Sequence, residues 1–354
     1  MKKLLSFILA LILLLLFTGC DTISPKLFEY LLDGSKLRVY FIDVGQGDCT
    51  LLESKGEFVL IDAGEKEYGK KVLKYIQNIG TNKLKYVIAT HPHTDHIGGL
   101  STVINGIRTE SFITVETDQN TGTWRNVLTA VDQNDVDYID ARVGDRYTFG
   151  DATFTILAPH SSGYEGYNNY SVVTMVECDQ IRFLLTGDAE TQSEKEMLSA
   201  KADLKADVLK CGHHGSSTSS SAAFLKAVRP AYAVISCGKN NDYGHPHRET
   251  IKKLKLMGST CLRTDQLGTI VASTDGEHLS FSSERGKTKI PEYTAGDNVL
   301  TDQAPLYIGN KNSLYFHYSD CSGAATMKEK NKVEFATREE AVKAGYKPCP
   351  SCKP

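Results

Sequence analysis

The 354-residue chain has no apolar run of full membrane-spanning length. The stretch Leu4 to Phe17, broken only by Ser6, reaches about 21 Å as a helix against a hydrocarbon core of roughly 30 Å. A multi-span membrane protein is therefore excluded. An excess of one charge is missing too: 40 Lys+Arg against 43 Asp+Glu leave a net charge of -3. That excludes gripping nucleic acid through bulk charge, so any anionic partner must be held at a local site. The cysteines lack a pairing pattern. Apart from Cys20 and the last three, the remaining Cys49, Cys178, Cys211, Cys237 and Cys261 stand singly in apolar segments, which predicts buried free thiols. What the chain does have is 41% hydrophobic residues, with 17 Tyr and 13 Phe, enough apolar surface to offset the entropy of ordering.

Residues 1–20 read as a lipoprotein signal peptide. Lys2 and Lys3 precede the apolar run, and Leu16-Phe17-Thr18-Gly19-Cys20 resembles a bacterial lipobox. The resemblance implies lipidation of Cys20 and a mature protein held at the cell membrane by its lipid, on the extracytoplasmic face. No obligate protein partner is evident.

Alternation and apolar runs predict strands at 37–43, 49–53, 58–62 and 86–90, then at 153–157, 172–176, 183–186, 208–210 and 233–236. Helical spacing marks 72–79, 191–200, 222–228 and 249–257, and Asp275-Gly276 marks the turn of a hairpin over 271–283. Two strand-rich halves with helices between them predict an α/β fold, an αββα sandwich over 37–283. Residues 284–304 read as a linker and 305–354 as a separate small module.

The chemistry gathers at Thr90-His91-Pro92-His93-Thr94-Asp95-His96, where a strand ends. Three imidazoles and a carboxylate in six residues are costly to desolvate unless they coordinate a cation, and both are good Zn²⁺ ligands. Two further apolar strands run into Thr186-Gly187-Asp188 and Cys211-Gly212-His213-His214-Gly215-Ser216, each delivering a ligand-type residue at its end. These pieces resemble the metallo-β-lactamase superfamily over 37–283. Phe41-Ile42-Asp43-Val44-Gly45-Gln46-Gly47-Asp48, Asp62-Ala63-Gly64, the His-Gly-Ser segment and Tyr243-Gly244-His245-Pro246-His247 are similar to the hydrolase domain of the ComEC-like branch, associated with DNA uptake.

The resemblance implies two Zn²⁺ or Mn²⁺ ions, one held by His91 and His93, the other by Asp95, His96 and His213, with Asp188 between them and Asp62 ordering the ligand loop. His160 is the candidate for a further ligand to the first ion, or else a solvent-exposed side chain. His213 is favoured over His214 as ligand, which leaves His214 behind the ligands or at the substrate. Asp95, His214 and His245 are the candidate catalytic groups, with Ser216 a further donor and Asn168-Asn169-Tyr170-Ser171 expected along the cleft. His245 is either a general acid or, with His247, a cap for the helix that follows.

In the tail, His317, Cys321, Cys349 and Cys352 supply four ligands for a closed tetrahedral site, and so small a module calls for a structural Zn²⁺. The run Glu340-Ala341 to Gly345-Tyr346-Lys347-Pro348-Cys349 resembles the metal-binding domain of Ada-type DNA-repair proteins, with His317 where those use a fourth cysteine. A disulfide between Cys349 and Cys352 is the alternative.

The function expected from these resemblances is a membrane-anchored phosphodiesterase acting on DNA. The alternatives are a cell-wall phosphodiesterase such as a phosphocholine esterase, and a non-catalytic surface DNA-binding protein.

Overall fold

The computed structural model describes residues 34–286, 290–296, 307–318, 321–335 and 338–354; Cys20 and the signal segment lie outside them. None of the described helices is long and apolar enough to cross a membrane.

The first sheet contains β1 Leu37–Phe41, β2 Thr50–Ser54, β3 Glu57–Ile61, β4 Lys83–Ile88, β5 Arg108–Thr114 and β6 Asp137–Asp140. The second contains β7 Arg146–Phe149, β8 Ala152–Ala158, β9 Val173–Cys178, β10 Ile181–Leu185, β11 Val208–Lys210, β12 Tyr232–Ile235 and β13 Thr260–Arg263. The chain then returns to the first sheet as β14 Ile270–Thr274, β15 His278–Ser283 and β16 Tyr293–Thr294. Helices α1 Gly69–Ile79, α2 Thr94–Ile97, α3 Leu100–Gly106 and α4 Gly122–Gln133 belong to the first half. Helices α5 Thr191–Ser199, α6 Ala222–Val228, α7 Arg248–Leu256 and α8 Thr264–Leu267 belong to the second.

Strand periodicity explains the four layers. Val39, Phe41, Val59 and Ile61 point between the sheets, where they meet Phe154, Val176, Phe183 and Val234. The alternate residues Tyr40, Ile42, Phe58 and Leu60 point outward onto Val72 and Ile76 of α1 and Val103 of α3. Leu184, Leu209 and Ala233 do the same on the second sheet, against Met197, Phe224 and Leu254. Central strands buried on both faces read as unbroken apolar runs, which is why the sequence marks them.

Each sheet is antiparallel on one side and parallel on the other. β3, β4, β5 and β6 run parallel, as do β10, β11, β12 and β13. Side chains just beyond the carboxyl ends of β3, β4, β10, β11 and β12 thus open onto one rim.

The stretch expected to be a linker in part extends the fold: β16 adds to β15, and the buried Tyr293 donates to Asp207 Oδ1 at 2.7 Å. Beyond it lies a small sheet ordered β19-β17-β18-β20, formed by β17 Tyr307–Asn310, β18 Tyr315–Tyr318, β19 Lys332–Phe335 and β20 Lys347–Pro348. Short helices α9 Ser322–Ala325 and α10 Arg338–Lys343 accompany it. Its core of Tyr307, Phe316, Tyr318, Phe335 and Ala341 packs against Ala222 of α6 and Leu256 of α7. Lys252 Nζ sits 4.1 Å from the centre of the Tyr318 ring, a cation–π contact. The module supplements its small core with the hydrolase-like unit's helices.

Candidate metal centre

The rim is assembled by buried polar ties. Asp62, just past β3, accepts from Thr90 N at 2.9 Å and Thr90 Oγ1 at 2.7 Å, which fixes the turn after β4. Its Oδ2 also lies 2.7 Å from His96 Nδ1, as expected for an ordering carboxylate. The loop Gly45–Asp48 runs beneath Asp95, where Asp48 N donates to the Asp95 carbonyl at 3.0 Å. Gly47 has φ +138, and a Cβ there would stand 2.3 Å from that carbonyl, so a side chain would force the loop away.

Two groups of ligand atoms converge here, each with all members within 4.8 Å of one another: Asp48, His96, Asp188 and His214, and His91, His93 and Asp188. Asp188 is common to both. His91 Nε2 is 2.9 Å from His93 Nδ1 and 3.9 Å from Asp188 Oδ2. On the other side, Asp188 Oδ1 lies 3.2 Å from His96 Nε2, and His214 Nε2 lies 3.0 Å from Asp95 Oδ2 and 3.5 Å from Asp188 Oδ2.

Of the tandem histidines, His214 stands fully buried among these carboxylates, whereas the sequence favoured His213. His213 is not excluded from the rim: its Nε2 is 3.9 Å from Asp188 Oδ2, with Nδ1 3.1 Å from Glu190 Oε1. Both residues adopt positive φ, 49° and 54°, which turns their rings in directions that no helix or strand period dictates. Behind His214, Nδ1 lies 3.1 Å from the Ser236 carbonyl and 3.3 Å from Asp48 Oδ1. Asp48, a member of the first ligand group, faces the Nδ1 edge of His214, while Nε2 faces Asp95 and Asp188. Asp48 is itself paired at 2.7 Å with the fully buried Lys210, which also donates to the Cys211 carbonyl at 2.9 Å. Each cluster-facing imidazole of the tail end of β11 and of α2 thereby carries a carboxylate behind it, the usual way ligands are oriented.

The donors suit cations. His96 Nε2 and Asp188 Oδ1 are buried without a hydrogen bond, a cost of about 1–3 kcal/mol for each such group unless something binds between them. Burial opposes charge on His96 and His214, but the facing carboxylates, Asp188 foremost, outweigh it and hold both pKa values well above 6.5. Burial would raise Asp188, yet His214 and His96 hold it well below the carboxylate range. His91, buried and facing His96, is pushed well below 6.5. The acid-rich side of the pit thus favours positive charge on His96 and His214, and burial disfavours it on His91 and His93.

A cavity of about 340 Å³ opens over Asp188, with Asp95, His93, His213, His214 and His245 in its wall. Burial pushes His245 down to about 4, which favours its uncharged form. Of the segment 168–171 only Asn168 lines this cavity; Ser171 Oγ instead accepts from Asp188 N at 3.0 Å. Ser216 does not reach it: its Oγ accepts from Thr218 Oγ1 at 3.0 Å. His160 is exposed and joins neither ligand group, so its placement does not support a ligand role. His247 stands at the N-terminal boundary of α7 without a side-chain bond to the helix, and its Nδ1 accepts from Ser217 N at 2.9 Å.

Sequence reasoning gave no role to Asp48, Lys210 or Glu190. A lysine ending an apolar strand, and acidic residues beside Gly-x-Gly and Gly-Asp turns, were the available signals.

In the tail, ligand atoms of His317, Cys321, Cys349 and Cys352 converge within 4.8 Å, and the cysteines are free thiols, not a disulfide. Buried His317 Nδ1 has no hydrogen-bond partner. A tetrahedral cation fits this set.

The family described as Metallo-beta-lactamase superfamily matches residues 42–239. The chain is 34% identical to ComE operon protein 3 of Bacillus subtilis over 72% of its own length and 36% of that protein's. It is 32% identical to Recombination protein 2 of Haemophilus influenzae, covering 70% of this chain and 30% of that protein. Competence protein ComA of Neisseria gonorrhoeae is 30% identical, over 64% of this chain and 31% of its own length. The chain thus spans about a third of the curated relatives it matches, and these relatives support the ComEC-like branch.

Metal analysis after equilibrium dialysis is expected to find one rim cation fewer in His214→Ala than in the parent protein, and no change in His160→Ala. Cation binding must also expel the protons held by His96 and His214. Apparent affinity should therefore climb as pH rises through and above 7, by up to about tenfold per pH unit for each proton displaced. Without cations, the stability those raised pKa values contribute is complete below pH 6.5 and lost as pH rises through them. Thermal melts should accordingly fall with alkaline pH for the stripped protein and not for the loaded one.

Proposed function

Because the chain belongs to the metallo-β-lactamase superfamily, we propose that it is a dinuclear zinc or manganese hydrolase of phosphodiesters, with DNA as its substrate. The observation that carries this reading is Asp188, one buried carboxylate shared by two groups of ligand atoms. Two divalent cations held there would supply a hydroxide nucleophile at neutral pH and would neutralise charge developing on phosphorus-bound oxygens.

The chain's own residues do the rest. Asp62 fixes the His96 ring with Nε2 toward the cluster, the Ser236 carbonyl with Asp48 beside it does so for His214, and Glu190 holds Nδ1 of His213. Asp95 accepts from His214 when that imidazole is protonated and is free to take a ligand's place when it is not. His245, in the cavity wall, can donate one hydrogen bond to a phosphoryl oxygen. Names of the competence and recombination relatives favour DNA among diesters.

The His317, Cys321, Cys349 and Cys352 set is proposed to hold one structural Zn²⁺ in a module resembling the Ada-type domain. The apolar segment ending at Cys20 supports lipid anchoring on the extracytoplasmic face.

The full chain, loaded with Zn²⁺ or Mn²⁺, is expected to cleave plasmid DNA and bis-p-nitrophenyl phosphate and to spare nitrocefin. Asp188→Ala should cost more than the 10–100-fold typical of residues that only orient ligands. Hydrolysis of nitrocefin alone would contradict the phosphodiesterase reading.

A further inference from the structure

The loop between β12 and α7 carries a feature that neither the fold nor the metal centre uses. Its base is rigid. Gly238 N donates to Gln46 Oε1 at 3.0 Å, and a Cβ at Gly238 would stand 2.7 Å from Gln46 N. Asn241 clasps the loop from within: Nδ2 donates to the carbonyls of Gly238 at 2.9 Å and His245 at 2.6 Å, while Oδ1 accepts from His245 N at 2.9 Å. His247 Nε2 lies 3.3 Å from the Tyr243 carbonyl.

At the apex stands Tyr243, 66% exposed, the most exposed large apolar side chain among the described residues. Its ring stacks on His245, with centroids 5.6 Å apart and planes 19° from parallel, and both side chains line the cavity over Asp188. No core needs this ring. A preformed loop that holds a flat aromatic in solvent at the mouth of a reactive cavity calls for a ligand that stacks.

We propose that Tyr243 is a platform for a nucleobase, so that the site takes single-stranded nucleic acid with one base stacked beside the scissile phosphate. The proposal rests on the phosphodiesterase reading and narrows its substrate. A second cavity of about 680 Å³ shares the His245 wall and is lined by Lys239, Asn240, Asn241 and Arg263. Arg263 is committed to Asp265 through two hydrogen bonds of 3.0 and 2.7 Å, whereas Lys239 is exposed with no ion pair found among the described residues. Lys239 shares that cavity with His245 and is the cation available to a neighbouring phosphate of a strand crossing His245. A duplex hides its base faces in the stack, which is why a single strand, an end or a gap is the form that fits. A choline headgroup fits less well. Quaternary ammonium sites enclose the cation in several aromatic rings, and here one ring stands beside a lysine of like charge.

The test compares an oligothymidylate with an abasic strand of equal length, and with p-nitrophenyl phosphocholine, using the metal-loaded full chain and its Tyr243→Ala and Tyr243→Phe variants. The parent protein should show a KM lower for the oligothymidylate than for the abasic strand by roughly five- to hundredfold. Tyr243→Ala should bring that ratio close to one, and Tyr243→Phe should keep it. An equal ratio in parent and Tyr243→Ala overturns the platform, as does an effect that falls on the phosphocholine ester instead. If the parent cleaves neither strand, the phosphodiesterase reading falls separately. Fluorescence-anisotropy binding of the two strands to the same three proteins then decides the platform by the same ratio.

Discussion

Everything at the rim depends on one electrostatic constraint: the Asp188 carboxylate is buried between two sets of imidazoles and must be met by positive charge. Desolvating a carboxylate is unfavourable by several kcal/mol unless cations or protonated partners face it. The sandwich meets that requirement by ending β4, β10 and β11 on one rim, so that His91, His93, Asp95 and His96 from one sheet close over Asp188, His213 and His214 from the other. The sheets act as a rigid frame and the short turns beyond them carry the chemistry.

The second layer of the site repeats one device. Asp62 stands behind His96, Asp48 behind His214 and Glu190 behind His213. Lys210, buried on β11, balances Asp48 and so keeps that carboxylate charged in a place where burial alone would neutralise it. Ligand geometry at the rim is thereby coupled to the core between strand and helix layers. The tail leans on α7, the helix entered from His247, and so braces the far end of the loop that bears Tyr243 and His245.

The readable part of the sequence was the part buried on both faces. β1 to β4 and β8 to β12 announce themselves as apolar runs, and α1 and α5 to α7 as periodic stripes. The stretch from 100 to 150 gave no assignment because β6 and β7 are largely exposed edge strands with mixed composition, and α3 to β5 interleave polar residues. At the site, the contiguous histidines were readable because their ligand types sit side by side. Asp48, Lys210 and Glu190 were not, since each acquires its meaning only from a partner on another loop. The choice between His213 and His214 was hidden in two left-handed backbone conformations, and the stretch taken for a linker contains Tyr293, whose burial depends on contact with Asp207 and β15.

The central claim is that Asp188 lies between two cations. Anomalous scattering at the metal absorption edge, from crystals of the loaded full chain, tests it most directly. Two peaks flanking Asp188, about 3.5–4 Å apart, are the predicted result. A single peak there, or metal found only at the His317 and Cys321 cluster, would contradict the account.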